Sequence, residues 1–176
     1  MISQTREKFS DKLRSHSGPK MMPAAVKPGQ VLSLVELIGG SGVRVNLSTI
    51  AKALEADLTV LPAVLDAGVM LGLVQSENKE IRLTSMGSKL LMTTDHKLKV
   101  LKDILANIEP FSTALELADK GGSVTSKHLV RVLHGKGILW DYQSYPNYVA
   151  VNTLMINWSI FAGLFKYEKS KFLKIA

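Results

Sequence analysis

The stretch Asp57 to Gly87, DLTVLPAVLDAGVMLGLVQSENKEIRLTSMG, constrains the fold more than any other part of the chain. Asp57 and Thr59 both carry side chains that cap helices, and Pro62 falls in the first turn, the one place a helix tolerates proline. Leu58, Leu61, Leu65 and Leu71 recur at helical spacing with Val64 beside them, which gives a broad apolar face. Gly72 closes that helix. Leu73-Val74 and Ile81-Arg82-Leu83 are short extended runs, and Ser76-Glu77-Asn78-Lys79 between them is turn chemistry, so a hairpin is expected. A new helix start follows at Thr84. Helix, tight hairpin and restart make the second half of a winged helix-turn-helix.

The flanking residues complete the pattern. Val31 to Ile38 is apolar almost all round and predicts a buried helix, stopped by Gly39-Gly40-Ser41-Gly42. Val43 and Val45 predict a short strand. Asn46 or Ser48 caps the next helix, Thr49 to Leu54, with Ile50, Ala51 and Leu54 facing inward. Residues 28–95 are therefore read as a first winged-helix unit, and residues 1–27 as a basic N-terminal appendage with a thin stripe of Ile2, Phe9 and Leu13.

After a helix from Thr84-Ser85 bearing Met86, Leu90 and Leu91, residues 96–120 read as connecting helices. Leu98, Leu101, Ile104, Leu105 and Ile108 keep helical spacing, Pro110 breaks the run, and Phe111 to Lys120 resumes it up to Gly121-Gly122. The order then comes round again over 121–176. Ser123-Val124-Thr125 leads into a helix, Ser126 to His134, and an aromatic loop runs from Gly135 to Pro146. A helix from Asn147 to Phe161 follows, then a hairpin pairing Phe165-Lys166-Tyr167 with Lys171-Phe172-Leu173. The halves share an order of elements without a visible residue-level repeat. The expected fold is mainly α with small β-hairpins: tandem winged-helix-like units joined by a long helical segment.

Composition narrows the chemistry. The 176 residues include no cysteine, so there is no disulfide, thiol nucleophile or thiolate metal site. The apolar runs VLSLVELI and MINWSIFAGLF are shorter than the roughly 20 residues a membrane span needs. No signal-peptide pattern opens the chain, so a cytoplasmic protein without membrane insertion is expected. Net charge is +7, unevenly spread. Residues 1–27 hold six bases against two acids, net +4; residues 28–84 hold four against six, net −2; residues 121–176 hold seven against two, net +5.

No catalytic, metal or cofactor constellation emerges. GGSGVRVN and GGSVTSKH lack the glycine-lysine-serine/threonine ending with which a phosphate loop cradles its nucleotide, and both follow helices that glycine terminates. His128 and His134 fall on different faces of one helix, with no acid at ligand spacing, and His16 and His96 lie far away. No triad or paired-acid spacing is present. A non-enzyme is expected.

Winged helices often read DNA with their third helix, which then offers Arg, Lys, Asn, Gln or Ser to bases and phosphates. The first unit offers Asp57, Thr59 and Asp66 and no base between Asp57 and Gln75. The second offers Asn147, Asn152, Thr153 and Asn157 among large apolar residues, again with no base. Carboxylates facing a polyanion oppose binding, so both helices suit burial or a protein partner. Against this stands a basic rim: Lys127, Arg131 and Lys136 on or after the middle helix, and Lys166, Lys169, Lys171 and Lys174 on the wing. Such lysines either grip phosphates or keep an exposed edge soluble. The loop aromatics Trp140, Tyr142 and Tyr145 either anchor a partner or cover the second core.

Taken in order, VLSLVELIGG, LSTIAKALEADLTVLPAVLDAGVMLGLV, EIRLTSMGSKLL and INWSIFAGLFKYE resemble the AAA-associated C-terminal domain. The resemblance covers roughly Pro28 to Phe172. Its most specific pieces are Asp57 to Pro62, Leu71-Gly72, Leu83-Thr84 with Gly87, and Asn157-Trp158 to Tyr167. That domain is appended to ATP-binding subunits of nitrate/sulfonate/taurine-type ABC importers, mainly in archaea and some bacteria, and also stands alone. The resemblance implies a regulatory or assembly role without catalysis. Ahead of Pro28 the sequence has a basic stretch with no Walker or signature motif, so a departure from the transporter form is expected. The expected function is a non-catalytic interaction or regulatory module whose partner is an ABC-importer component, another protein or its own copy as a homodimer. A winged-helix DNA-binding transcriptional regulator is the alternative.

Overall fold

The structure, a computed structural model, describes residues 21–41, 45–53, 59–77, 80–92, 97–139 and 145–175. It is mainly helical with small antiparallel sheets. Helix α1, Pro28–Gly40, turns Val31, Leu34, Val35 and Ile38 into the core and exposes Ser33 and Glu36. Strand β1, Val45–Asn46, leads into α2, Leu47–Ala53. Of the two expected caps Asn46 is the one used, its Oδ1 accepting the Thr49 backbone N–H at 2.9 Å. Helix α3, Leu61–Met70, carries Pro62 in its first turn as expected. Val60, not Thr59, occupies its N-cap position and supplies no side-chain hydrogen bond. Asp57, Leu58, Leu54, Val43 and the Ile2, Phe9 and Leu13 stripe lie outside the described residues.

Gly72 has φ +66°, a conformation in which any side chain is strained, and it turns the chain from α3 into strand β2, Val74–Glu77. Strand β3, Glu80–Leu83, pairs back from Val74 opposite Leu83 to Glu77 opposite Glu80. The ladder thus extends further into the expected turn than the apolar runs alone suggest; Asn78-Lys79 lie outside the described residues. Val45 pairs with Ile81 on the other side of β3, so the sheet order is β1-β3-β2.

Helix α4, Ser85–Met92, is latched onto this turn. The Thr84 hydroxyl donates to the Gly72 carbonyl at 2.5 Å and accepts the Gly87 N–H at 3.0 Å, while the Thr84 N–H donates to the Leu73 carbonyl at 3.0 Å. A Cβ on Gly87 would fall 2.1 Å from the Leu73 carbonyl oxygen. Glycine is therefore required for contact, not for torsion. Helix α1 packs against α2, α3, α4 and β3, and α4 leads on to α5, Lys97–Leu105. Pro110 separates α5 from α6, Phe111–Gly121, by occupying the N-cap position of the latter.

Helix α6 packs on the helix Ser126–Gly135 and on the strands Ser123–Val124 and Lys171–Lys174. Strand β4, Ser123–Val124, precedes α7, Ser126–Gly135, which Thr125 caps by accepting the His128 N–H at 3.2 Å. Helix α8, Tyr145–Leu154, runs on into a π-helical turn, Met155–Ser159. Strands β5, Phe165–Glu168, and β6, Lys171–Lys174, complete a second sheet of order β4-β6-β5.

The coordinates expose a register that the residues conceal. Gly163, φ +69°, stands where Gly72 stands in the first half. Leu164 answers to Leu73, Phe165 to Val74 and Phe172 to Ile81, all by one constant shift along the chain. The backbone bonds repeat too: Gly72 N–H to Val69 O and Leu73 N–H to Gly68 O match Gly163 N–H to Ile160 O and Leu164 N–H to Ser159 O. Ala67 in one half faces the core where Trp158 does in the other, and Leu71 where Ala162 does, so large and small residues have been exchanged.

Buried side chains from both halves form one contiguous cluster, into which Met22 and Val26 also pack. The buried Trp158 indole N–H donates to the Val26 carbonyl at 2.8 Å, which ties the segment before α1 to the turn after α8. In urea unfolding, Gly87→Ala is expected to lower stability by at least about 2 kcal/mol, because backbone must move to admit the methyl. Thr84→Val, which loses two hydrogen bonds, should cost about 1–2 kcal/mol. A Gly87→Ala midpoint equal to the wild type would refute the close packing of Leu73 on α4.

Candidate functional site

The basic residues picked out by the sequence divide by what holds them. Lys136 follows α7, and its Nζ donates to Thr113 Oγ1 at 2.7 Å and Glu116 Oε2 at 3.2 Å and lies 3.8 Å from Glu109 Oε1. Thr113 is fully buried and donates in turn to Glu109 Oε1 at 2.8 Å. This cluster staples the end of α7 to the start of α6, so Lys136 serves the fold. Lys174 is likewise held, 2.5 Å from Asp119 of α6.

Lys166 meets Glu168 at 3.1 Å, with both side chains more than half exposed. An exposed pair of that kind is worth about 0–1 kcal/mol and does not remove Lys166 from the surface's positive charge. Lys127, Arg131, Lys169 and Lys171 are exposed and have no acid within 4.0 Å among the described residues, although Glu168 stands opposite Lys171 in the ladder. Lys169 and Ser170 form the hairpin tip with φ 48° and 64°, both in the left-handed region that glycine or asparagine fills most easily. A lysine there stands away from the sheet.

The acids of this half are spent differently. Glu109, Glu116, Asp119 and Glu168 all have a lysine nitrogen within 4.0 Å. Among the described residues, Lys127 and Arg131 are left exposed on α7 with no acid within 4.0 Å.

Between Asp141 and Lys166 the sequence contains no charged residue. One side of α8 and its π turn fills the core with Val151, Leu154, Met155 and Trp158. The other side is open: Tyr148, Val149, Ile156, Ile160 and Phe161 are each 37–43 % exposed. Tyr148 and Ile156 lie about one turn to either side of Asn152. Asn152 Oδ1 accepts the buried Ser126 hydroxyl at 2.7 Å, which fixes the start of α7 against the middle of α8. Lys127 is the next residue, and Arg131 follows one turn along α7. Both are exposed on the helix that this bond holds against α8.

The matching helix of the first half is unlike it. Among the outward residues of α3 are Asp66 and Val69, with no base. Trp140 and Tyr142 lie outside the described residues, as do His16 and His96; Tyr145 opens α8, but its side chain also lies outside them. His128 is exposed on α7 and His134 is partly buried. Among the described residues no group of three or more His, Asp or Glu side chains is placed to hold a metal ion, and no helix is long and apolar enough to cross a membrane.

The sequence signals that α8 is apolar but not that half of it is open. An uncharged helix looks buried on every side. The distinguishing sign is phase: Tyr148, Ile156 and Ile160 repeat on a line separate from Val151, Leu154 and Trp158.

Residues 48–168 match the model of the C-terminal AAA-associated domain, and the chain belongs to that family. It is thus an accessory domain of the kind associated with AAA and ABC ATPases. No curated protein matches the chain. No solved structure does either.

Because Lys136 is held by three groups, Lys136→Met should destabilise the protein by about 1 kcal/mol, leaving Thr113 and Glu109 under-partnered. Lys127→Met, on an open surface, should stay within about 0.5 kcal/mol of wild type. Equal unfolding midpoints for the two variants would contradict this division.

Proposed function

We propose that this chain is a non-catalytic interaction and regulatory module that docks a protein partner, with an ATP-binding subunit of the ABC-importer type as the first candidate. The reading takes both halves as winged helices whose third helices meet protein and not nucleic acid. One observation carries it: the outward side of α8 and the turns that continue it, where a DNA-reading helix would present basic residues, instead presents Tyr148, Val149, Ile156, Ile160 and Phe161. Exposed apolar side chains grouped on one face favour association with another apolar surface. Family membership supports an ATPase-linked partner. A second copy of the chain is the variant of the same reading.

Duplex DNA is the competing reading, favoured by the uncompensated Lys127, Arg131, Lys169 and Lys171. Phosphate contacts by these four would make affinity fall steeply with salt. Against it, α3 turns Asp66 outward and α8 offers no base at all.

Co-expression with the importer ATP-binding subunit of the same organism should yield a complex on size-exclusion chromatography with light scattering. Ile156→Asp should dissolve the complex without changing the melting temperature, and duplex DNA at low salt should give a flat titration. The reading fails if the chain runs alone and monomeric beside every ATP-binding subunit offered. DNA binding weakened by charge reversal at Lys169 and Lys171 would put the regulator in its place.

A further inference from the structure

The uncompensated charge around the apolar strip of α8 specifies its occupant. We infer that this face receives an acidic amphipathic helix of a partner protein, large apolar residues seated along α8 and carboxylates lying over Lys127 and Arg131. The inference rests on the docking reading above and narrows it to one partner chemistry.

Three observations converge on the acidic character. The strip itself carries no charge, there being none in the chain between Asp141 and Lys166. Its margin is set by the Ser126–Asn152 bond, which holds the start of α7 against the midpoint of the strip and so places Lys127 alongside, with Arg131 a turn further on. Glu109, Glu116, Asp119 and Glu168 are taken up by Lys136, Lys174 and Lys166, and no acid among the described residues lies within 4.0 Å of Lys127 or Arg131. Apolar contact supplies the affinity, and the basic margin fixes orientation and excludes wrong partners.

Charge also decides against a second copy. Antiparallel pairing of two α8 faces about a two-fold axis would bring Lys127 and Arg131 of one protomer towards the same residues of the other, and like charges so placed weaken association. Helix-in-groove recognition reads apolar anchors at helical spacing, and Tyr148, Ile156 and Ile160 follow one line along the strip.

The test is a fluorescence-anisotropy titration of the intact chain with two synthetic helices of roughly 18 residues, long enough to hold helical structure. Both carry leucines on one face; one has glutamates along the margins and the other lysines at the same positions. The acidic helix should bind about tenfold or more tighter than the basic one. Lys127→Glu with Arg131→Glu should reverse that preference, and Ile156→Asp should abolish binding of both while leaving the melting temperature unchanged. Reversal by the charge swap separates recognition from mere loss of fold. Equal binding of the two helices, or binding of neither, overturns the inference, and so does dimerisation of the free chain that Ile156→Asp removes. No ATP-binding subunit enters this titration, so its failure is distinguishable from failure of the docking reading.

Discussion

The oxygen of Leu73 sits where a side chain on residue 87 would have to go, and much of the first half follows from that contact. With a hydrogen at residue 87, α4 lies directly on the turn that ends α3. The Thr84 hydroxyl then bridges the Gly72 carbonyl and the Gly87 N–H, satisfying a turn acceptor and a helix-start donor together. The hairpin cannot slide while both ends of its base are fixed this way, and a fixed hairpin sets which faces of α1 and α3 are covered. The second half keeps the glycine turn at Gly163 and the bond from the Ile175 N–H to the Leu164 carbonyl, though Ile175 has no hydroxyl with which to build the same latch. The shared scaffold is the backbone register; the side-chain latch belongs to one copy.

Local chemistry made much of this legible in the residues. Pro62, Gly72, Thr84 and Gly122 each punctuate the chain through a backbone requirement that acts within a few residues, and helix and hairpin boundaries near them fall where expected. The cap of α3 did not, because Val60 begins the helix by position while contributing no acceptor. Packing across the chain was less visible. Val26 is tied to Trp158, which is distant in sequence, and no periodicity near either end announces that meeting. The repeat was hidden for a related reason: the halves exchange volumes at paired positions, Ala67 for Trp158 and Leu71 for Ala162, so the core keeps its shape while the letters lose their likeness.

Charge tells the same story at the surface. Seven bases against two acids in the C-terminal stretch suggested a uniformly basic rim. Geometry sorts those bases into staples and free groups, since Lys136 and Lys174 reach back to acids on α6 while Lys127, Arg131, Lys169 and Lys171 do not. Net charge counts both kinds alike, and only position separates them. The outward face of α8 was obscured in a similar way. Apolar composition says that a helix avoids water, yet says nothing of whether its own core or another molecule provides the shelter.

Trp158 joins the approach to α1 with the end of α8, and its indole is both fully enclosed and hydrogen-bonded. It is therefore a built-in optical reporter. Any event that lifts the Val26 segment admits water to the ring and shifts its emission to the red, whether or not the rest of the core has loosened. With Trp140→Phe removing the second indole, attachment of the leading segment can thus be followed with no added label, separately from global melting.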